Sequence, residues 1–439
     1  MKLTKILCLV LSILMLAGCG VQPDPTVQTT APTAEQPTTP ATEPTSFQDL
    51  LLITEPYSEP QSDEEILAYR RDLVEAEMRM ITSMYWTPKE DIVYNLSLDS
   101  NGGHKDEAVT LKAGVIYQGM PYTHGGGSGF AFLAYATEQD HRGVYTLDPI
   151  NGALMSGQTG TARIGNDCAD SVWWGWSRVS TSITFDTTKY MTEQYGNVVK
   201  VGDYQCDAII YDSTTTKVIE DNGEDRMLAC YAQLQKGDGI VHYTNGGDGH
   251  AVMISGVNVV MDGDKIDAQN SYVTVLDQNY YDTAYYDEYI GETVHRLCGV
   301  DSKWTFEYLL QKGYLPITCK ELIDPSPLPA ETVEDSQTEH SFESLLTGTI
   351  TTSFPISTVT ITITDAEGKT VQQCTAYQKQ KTDRYKFNMN TFTNATERLL
   401  MNGSVNPSEL TAGQYRCVVI TQISTGRTMP VRDFTFTVS

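Results

Sequence analysis

The stretch GNDCADSVWWGW, residues 165–176, places Cys168 between two aspartates and ahead of three tryptophans. A Gly-Asn-Asp turn followed by an apolar run predicts a helix over 168–179, although Gly175 weakens it. A helix N-terminus and a nearby imidazole both favour a thiolate. Three interpretations of Cys168 follow from the residues: a buried packing residue, half of a disulfide, or a nucleophile.

Two later segments supply partners for a nucleophilic thiol. The alternating residues 239–242 and 250–257 predict two strands, and YVTVLD at 272–277 predicts a third. His250 begins one strand and Asp277 ends the next. If these strands are antiparallel, the Asp277 carboxylate can orient the imidazole of His250 as a general base. Asn279, two positions on and on the same face, is the competing partner.

These segments follow one another in an order that is typical of a known enzyme family. The motifs are Pro121-Tyr122, Gly125-Gly126, Gly165-x-Asp167-Cys168, Gly237-Asp238 and His250-Ala-Val-Met-Ile254. Over residues 111–280 the chain resembles the NlpC-type papain-like peptidases, which cut peptidoglycan stem peptides.

The resemblance implies an α+β papain-like domain with Cys168 as the nucleophile and His250 as the base. Tyr122 would lie beside the thiol and help to hold the oxyanion. The third residue would be Asp277, although LDQN at 276–279 also resembles the Glu-x-Asn segment of CHAP amidases, which would assign the role to Asn279.

The chain departs from the family pattern in three places. His124 stands where tryptophan is usual, and residues 127–164 are a long insertion. Ala169-Asp170 replaces the usual Ser-Gly. Because Asp170 adds a negative charge within the first helical turn, it is expected to oppose thiolate formation.

The rest of the chain suggests further parts. A capping box at Ser62–Glu65 predicts an N-terminal helix, and residues 106–119 predict another. A helix followed by several strands indicates an α+β domain, which we place at 60–325. After a linker at 326–343, residues 344–439 alternate apolar and polar side chains, which predicts an all-β, Ig-like sandwich.

The N-terminus is typical of an exported lipoprotein. Residues 1–19 combine two lysines, an apolar run and Leu-Ala-Gly-Cys, which resembles a lipobox with Cys19 as the lipidated residue. Residues 20–59 predict a tether, since 20–46 hold six Pro and eight Thr. The expected location is the outer face of a bacterial membrane, anchored by lipid.

Composition narrows the partners. The net charge of −26 argues against a nucleic-acid partner. No C-x-x-C pair or phosphate-loop lysine occurs, so we expect neither metal nor cofactor. Of the seven cysteines beyond Cys19, Cys374 and Cys417 are expected to form a disulfide within the C-terminal module.

The expected function is hydrolysis of amide bonds in peptidoglycan stem peptides by a Cys-His-Asp mechanism. One alternative is an N-acetylmuramoyl-L-alanine amidase, with the same nucleophile and another scissile bond. Another is a catalytically silent surface protein that binds wall or host material through the sandwich and the tryptophans. The sequence does not identify the partner of the sandwich.

Overall fold

The structure is a computed structural model, and it describes residues 62–95, 108–123, 127–133, 136–147, 165–183, 197–206, 214–244, 249–279, 281–377, 384–393 and 401–439. The predicted signal peptide, Cys19 and the tether lie outside these residues, as do His124 and the Gly125-Gly126 pair. All the described residues belong to one compact unit.

The described ranges contain six α-helices, three short 3-10 helices and twenty-four strands. The α-helices are α1 (Asp63–Ser83), α2 (Gly129–Leu133), α3 (Cys168–Trp176), α4 (Thr215–Asn222), α5 (Glu224–Tyr231) and α6 (Phe306–Lys312). The 3-10 helices are Lys320–Leu322, Met389–Thr393 and Pro407–Glu409. The first sixteen strands are β1 (Tyr85–Pro88), β2 (Ile92–Asn95), β3 (Ala108–Leu111), β4 (Ile116–Gln118), β5 (Ala136–Gln139), β6 (Tyr145–Leu147), β7 (Val198–Lys200), β8 (Gly239–Tyr243), β9 (Gly249–Asn258), β10 (Met261–Asp262), β11 (Lys265–Ile266), β12 (Tyr272–Asp277), β13 (Thr283–Asp287), β14 (Glu292–Arg296), β15 (Gly299–Thr305) and β16 (Leu315–Cys319). The remaining strands are β17 (Val333–Asp335), β18 (Thr349–Thr352), β19 (Ile356–Asp365), β20 (Thr370–Tyr377), β21 (Lys386–Asn388), β22 (Met401–Ser404), β23 (Gly413–Ile423) and β24 (Thr428–Val438).

The predicted α+β papain-like fold class is wrong. The described residues are mostly β-sheet, divided among several sheets, and only α1 is longer than nine residues. The reason is that many segments are short runs of apolar residues. Periodicity alone does not distinguish helix from strand in such runs, and β-branched and aromatic side chains decide for strand.

Residues 106–119 illustrate this error. The helix predicted there is absent from the described residues 108–119, which instead form β3 and β4. The two strands carry Val109, Thr110, Ile116 and Tyr117, all of which favour extended backbone. Gly114 lies between them at φ +76°, a conformation that an L-residue rarely adopts and that breaks any helix.

One six-stranded sheet carries the sequence motifs. Its strand order is β15-β12-β9-β8-β16-β7, and the neighbours from β15 to β7 pair antiparallel. The predicted strands 239–242, 250–257 and 272–277 are confirmed as β8, β9 and β12. The expected antiparallel pairing of β9 and β12 is also confirmed, with Val275 opposite Ile254.

A second six-stranded sheet has the order β13-β14-β4-β1-β6-β5. Its strands β5 and β6, together with α2, come from the 127–164 insertion. The described part of the insertion therefore adds an edge to this sheet.

The N-terminal helix α1 begins with a capping box, and buried arginines join it to later segments of the chain. The capping box is confirmed, since Ser62 Oγ accepts from Glu65 N and Glu65 Oε2 accepts from Ser62 N, both at 3.2 Å. Arg71 donates to Asp238 Oδ1 at 2.8 Å and to the Leu322 carbonyl at 3.1 Å.

No helix in the described residues is both long and apolar enough to span a membrane.

The C-terminal residues agree with the predicted all-β module. A five-stranded sheet, β22-β20-β19-β23-β24, and a three-stranded sheet, β17-β18-β21, share one core that includes Ile350, Ile361, Phe387 and Val419. The predicted linker 326–343 contains β17, which pairs with β18.

The predicted Cys374–Cys417 disulfide is wrong, and both thiols are free. Cys374 on β20 faces Ile361 of β19, and Cys417 on β23 faces Ile363 of β19. One strand therefore separates the two cysteines, and their partners on it are two residues apart, which places their Cα atoms about 11–12 Å apart. A disulfide requires less than about 7 Å.

Candidate functional site

The thiol of Cys168 lies at the first position of α3. The preceding Asp167 has extended backbone (φ −106°), and its carboxylate accepts the Asp170 N–H at 2.8 Å as an N-cap. The predicted helix is confirmed, although it ends at Trp176. The N-terminal position places the thiol in the positive potential of the helix, and only 6% of Cys168 is exposed.

Gly175 allows α3 to pack closely on the sheet below it. A Cβ on this residue would lie 2.5 Å from the Met253 methyl carbon on β9 and 3.3 Å from the Val74 carbonyl oxygen on α1. The glycine that weakens the helix locally is therefore required by its packing, which sets the height of Cys168 above β9.

Tyr122 reaches the thiol through a short pairing of two segments. Asn166 N donates to the Pro121 carbonyl at 3.2 Å, and Thr123 N donates to the Asn166 carbonyl at 2.9 Å. Gly165 permits this approach at φ +144°, because a Cβ there would lie 2.4 Å from the Pro121 oxygen. As a result Tyr122 Oη lies 4.0 Å from Cys168 Sγ.

His250 and Asp277 meet across the β9–β12 pair. His250 Nε2 lies 2.8 Å from Asp277 Oδ1, and Asp277 is fully buried. With Nε2 committed to the carboxylate, Nδ1 is the ring nitrogen that remains for the Cys168 thiol, which lies close enough to the imidazole to raise its pKa. The structure thus brings Cys168, His250, Asp277 and Tyr122 together.

The charge around His250 favours its imidazolium. Burial lowers the pKa of His250, but the Asp277 carboxylate and its hydrogen bond, together with Cys168, outweigh burial and hold that pKa well above its ordinary value. Burial and the neighbouring Cys168 raise the pKa of Tyr122, which therefore stays a neutral hydrogen-bond donor.

Asp277 is fixed from its other side by a residue that the sequence analysis missed. Tyr281 Oη donates to Asp277 Oδ2 at 2.9 Å, so each carboxylate oxygen has its own partner. Asn279 lies two residues beyond Asp277 and is partly exposed. The geometry therefore favours Asp277 over Asn279 as the group that orients His250.

The sequence analysis also missed Gln278, a buried residue whose side chain joins the segments that carry Tyr122, Cys168 and Asp277. Its Nε2 lies 3.1–3.2 Å from the carbonyl oxygens of Met120, Pro121 and Asn166. Its Oε1 accepts from the Cys298 thiol at 2.7 Å. The fully buried side chain thus ties the Tyr122 segment and the approach to Cys168 to the strand that carries Asp277.

Replacing Gln278 with Met is expected to lower the free energy of unfolding by about 2–4 kcal/mol. The volume is kept, but the four buried hydrogen bonds of the amide are lost, and each such bond contributes about 0.5–1.5 kcal/mol. Urea unfolding measures the change. Gln233→Met is the matched control, since exposed Gln233 donates to a single carbonyl and should change stability by less than about 0.5 kcal/mol. Equal effects of the two substitutions would contradict this role.

The three tryptophans of α3 are part of the core and are each at most 5% exposed. A different aromatic group lies beside the site: the rings of Trp304 and His250 are 6.4 Å apart, and Tyr308 and Tyr314 each lie 5.3 Å from Trp304. Strand β15 supplies Trp304, helix α6 supplies Tyr308, and Tyr314 directly precedes β16. The sequence of these segments carried no signal for an aromatic group beside the site.

The remaining cysteines differ from Cys168 in their surroundings. Burial raises the pKa of the thiols of Cys230, Cys298 and Cys319, and that of Cys374 and Cys417 to about 12. Cys206 is partly exposed. Within the described ranges, no three His, Cys, Asp or Glu side chains cluster as ligands for a metal ion.

Comparison with known proteins adds little to this geometry. No protein-family model and no curated protein matches the chain. Among solved structures, the crystal structure of a tetra-tandem repeat in the extending region of a large adhesion protein matches with 14% identity and a TM-score of 0.15. The match covers 46% of this chain and 56% of that chain, and a likeness of this size carries no argument about fold or function.

Proposed function

We propose that this chain is a cysteine hydrolase that cleaves amide bonds in peptidoglycan stem peptides. The observation that carries the proposal is the 2.8 Å contact between His250 Nε2 and Asp277 Oδ1, near Cys168, which lies at a helix N-terminus and helps to raise the pKa of the imidazole. Nucleophile, base and orienting carboxylate are the three parts that such catalysis requires.

In the proposed reaction the Cys168 thiolate attacks the amide carbon and forms a tetrahedral oxyanion. Tyr122, a neutral donor 4.0 Å from the sulfur, is placed to stabilise that oxyanion. The His250 imidazolium then donates its proton to the leaving amine, and a thioester forms as the C–N bond breaks. Water, deprotonated by His250, hydrolyses the thioester and frees Cys168.

The substrate class rests on the local motifs and on the N-terminal sequence. The order Pro-Tyr, Gly-x-Asp-Cys, Gly-Asp and His-Ala-Val is similar to that of wall peptidases. A lipobox followed by a Pro/Thr-rich segment would hold the enzyme at the membrane within reach of the wall. Both features support a peptidoglycan substrate over a soluble peptide.

Mass spectrometry of muropeptides tests the proposal. Purified peptidoglycan is incubated with the full chain and, in parallel, with Cys168→Ala. The proposal predicts new fragments shortened within the stem peptide, and none with the variant. Fragments separated between glycan and L-alanine would indicate the amidase instead. An unchanged muropeptide profile would contradict both and leave a binding protein.

The lipid anchor gives a separate prediction. Replacing Cys19 with Ala should release the protein from membranes, because the acylated cysteine is the proposed anchor. Sedimentation of membranes after cell lysis, followed by detection of the protein in each fraction, measures this. A variant that still sediments with the membranes would contradict the anchor.

A further inference from the structure

A buried ion pair connects the C-terminal β-module to the helix that bears Cys168. Arg384, two residues before β21, lies 3.0 Å from Asp170 Oδ1, and both side chains are at most 3% exposed. The same guanidinium lies 4.1 Å from the ring centroid of Trp173 and 5.0 Å from that of Trp174. Arg384 thus touches three residues of α3.

Neighbouring contacts fix the two surfaces together. Tyr385 Oη donates to the Thr181 carbonyl at 2.6 Å, and Ser424 Oγ donates to the Ser177 carbonyl at 2.5 Å. Gly426 packs so closely that a Cβ there would lie 2.9 Å from the ring of Phe130 on α2. The C-terminal module therefore packs against α2 and against the residues that follow α3.

We infer that Arg384 is a positioning residue for the nucleophile, because it neutralises Asp170 so that the start of α3 can still stabilise a thiolate at Cys168. This inference rests on the proposed function. It assigns to the C-terminal module an electrostatic part in the reaction.

Asp170 places a negative charge in the first turn of α3. A carboxylate in the first helical turn competes with a thiolate for the positive end of the helix dipole. Asp170 lies two residues from Cys168 and points away from it, so its effect acts through the field rather than by contact. Arg384 cancels that field with the opposite charge, and its ion pair is kept dry by Trp173 and Trp174.

Other groups also act on the thiol and stay constant in the test. They are His250 on β9, Tyr122 in the segment paired with Asn166, Tyr314 just before β16, and the N-cap residue Asp167. Asp277 acts on the thiol indirectly, through His250. Substitutions confined to Asp170 and Arg384 therefore isolate the contribution of these two residues to the reactivity of Cys168.

The test is the pH dependence of Cys168 alkylation by iodoacetamide in the full chain, in a Cys206→Ser background, followed by peptide mass spectrometry. Arg384→Met should move the midpoint to higher pH by about one unit, with about tenfold slower labelling at neutral pH. Asp170→Asn should move it to lower pH. The double variant should return to within a few tenths of a unit of the parent.

If Arg384 and Asp170 act through their charges, the two single variants shift the alkylation midpoint in opposite directions, and the shifts cancel in the double variant. A purely structural role of either residue does not produce this pattern. Unshifted midpoints in both single variants would overturn the inference, as would shifts in the same direction. If Arg384→Met fails to fold, the shift in Asp170→Asn and its reversal in the double variant decide the question. Failure of the proposed function is distinguishable, because Cys168 of the parent would then label no faster than in His250→Ala.

Discussion

Cys168→Ser should lower hydrolysis of stem peptides by about 10⁴-fold or more. The hydroxyl occupies the same place, but it is a far weaker nucleophile beside an imidazole suited to a thiol. The initial rate of amine release from a purified stem peptide measures the effect. Because only one atom changes at a residue that is 6% exposed, the unfolding midpoint should remain close to that of the parent.

Cys206→Ser is the matched control for this substitution. Cys206 is the partly exposed cysteine of the described residues, and the contacts that form the site do not involve it. Its activity should equal that of the parent. Hydrolysis that survives Cys168→Ser within about tenfold would show that another group attacks the substrate, and it would remove Cys168 from the mechanism.

Asp277→Asn should lower turnover by about 10–10⁴-fold while the fold persists. Asparagine can still bridge His250 and Tyr281, so the geometry is kept and the negative charge is lost. Although burial lowers the pKa of His250, the charge of Asp277 raises it. The variant should therefore lose its imidazolium at lower pH, and the alkaline limb of its pH–rate profile should move in the acid direction.

Asn279→Ala is the control, because Asn279 is the alternative orienting residue. It should cost much less activity than Asp277→Asn and should leave the alkaline limb in place. Full activity in Asp277→Asn combined with loss of activity in Asn279→Ala would overturn the assignment. The third role in the site would then belong to Asn279.

The raised pKa of His250 also makes the stability of the fold depend on pH. Since the pKa of His250 is higher in the folded chain than in an unfolded one, the pairing with Asp277 stabilises the fold fully below the ordinary pKa of histidine. That contribution is lost as the pH rises through the folded pKa. The loss should be absent from Asp277→Asn, in which the charge that raises the pKa is missing.

Local sequence signals predicted the elements that bear the site. The capping box at Ser62, the turn before Cys168 and the β-branched run before Asp277 each act over a few residues, and α1, α3 and β12 follow from them. The meeting of His250 and Asp277 could be predicted because one hairpin joins their strands, so their register depends on nearby residues.

The overall class could not be predicted in this way. Which strands share a sheet depends on contacts distant in sequence, such as the parallel pairing of β14 with β4. Cys374 and Cys417 were predicted to pair because the sequence does not show that β19 lies between their two strands in the sheet. Gln278 and Arg384 were missed for the same reason, since the carbonyls that Gln278 binds and the carboxylate that pairs with Arg384 are 112–214 residues away.

The central claim is that Cys168 is an activated nucleophile, and its rate of alkylation in the folded full chain tests this most directly. Iodoacetamide is added at neutral pH, and labelling of each cysteine is followed by peptide mass spectrometry in the parent and in His250→Ala. We expect Cys168 to label faster than the other buried thiols, and His250→Ala to slow its labelling by at least about tenfold. Labelling of Cys168 at the same rate in both proteins would contradict it.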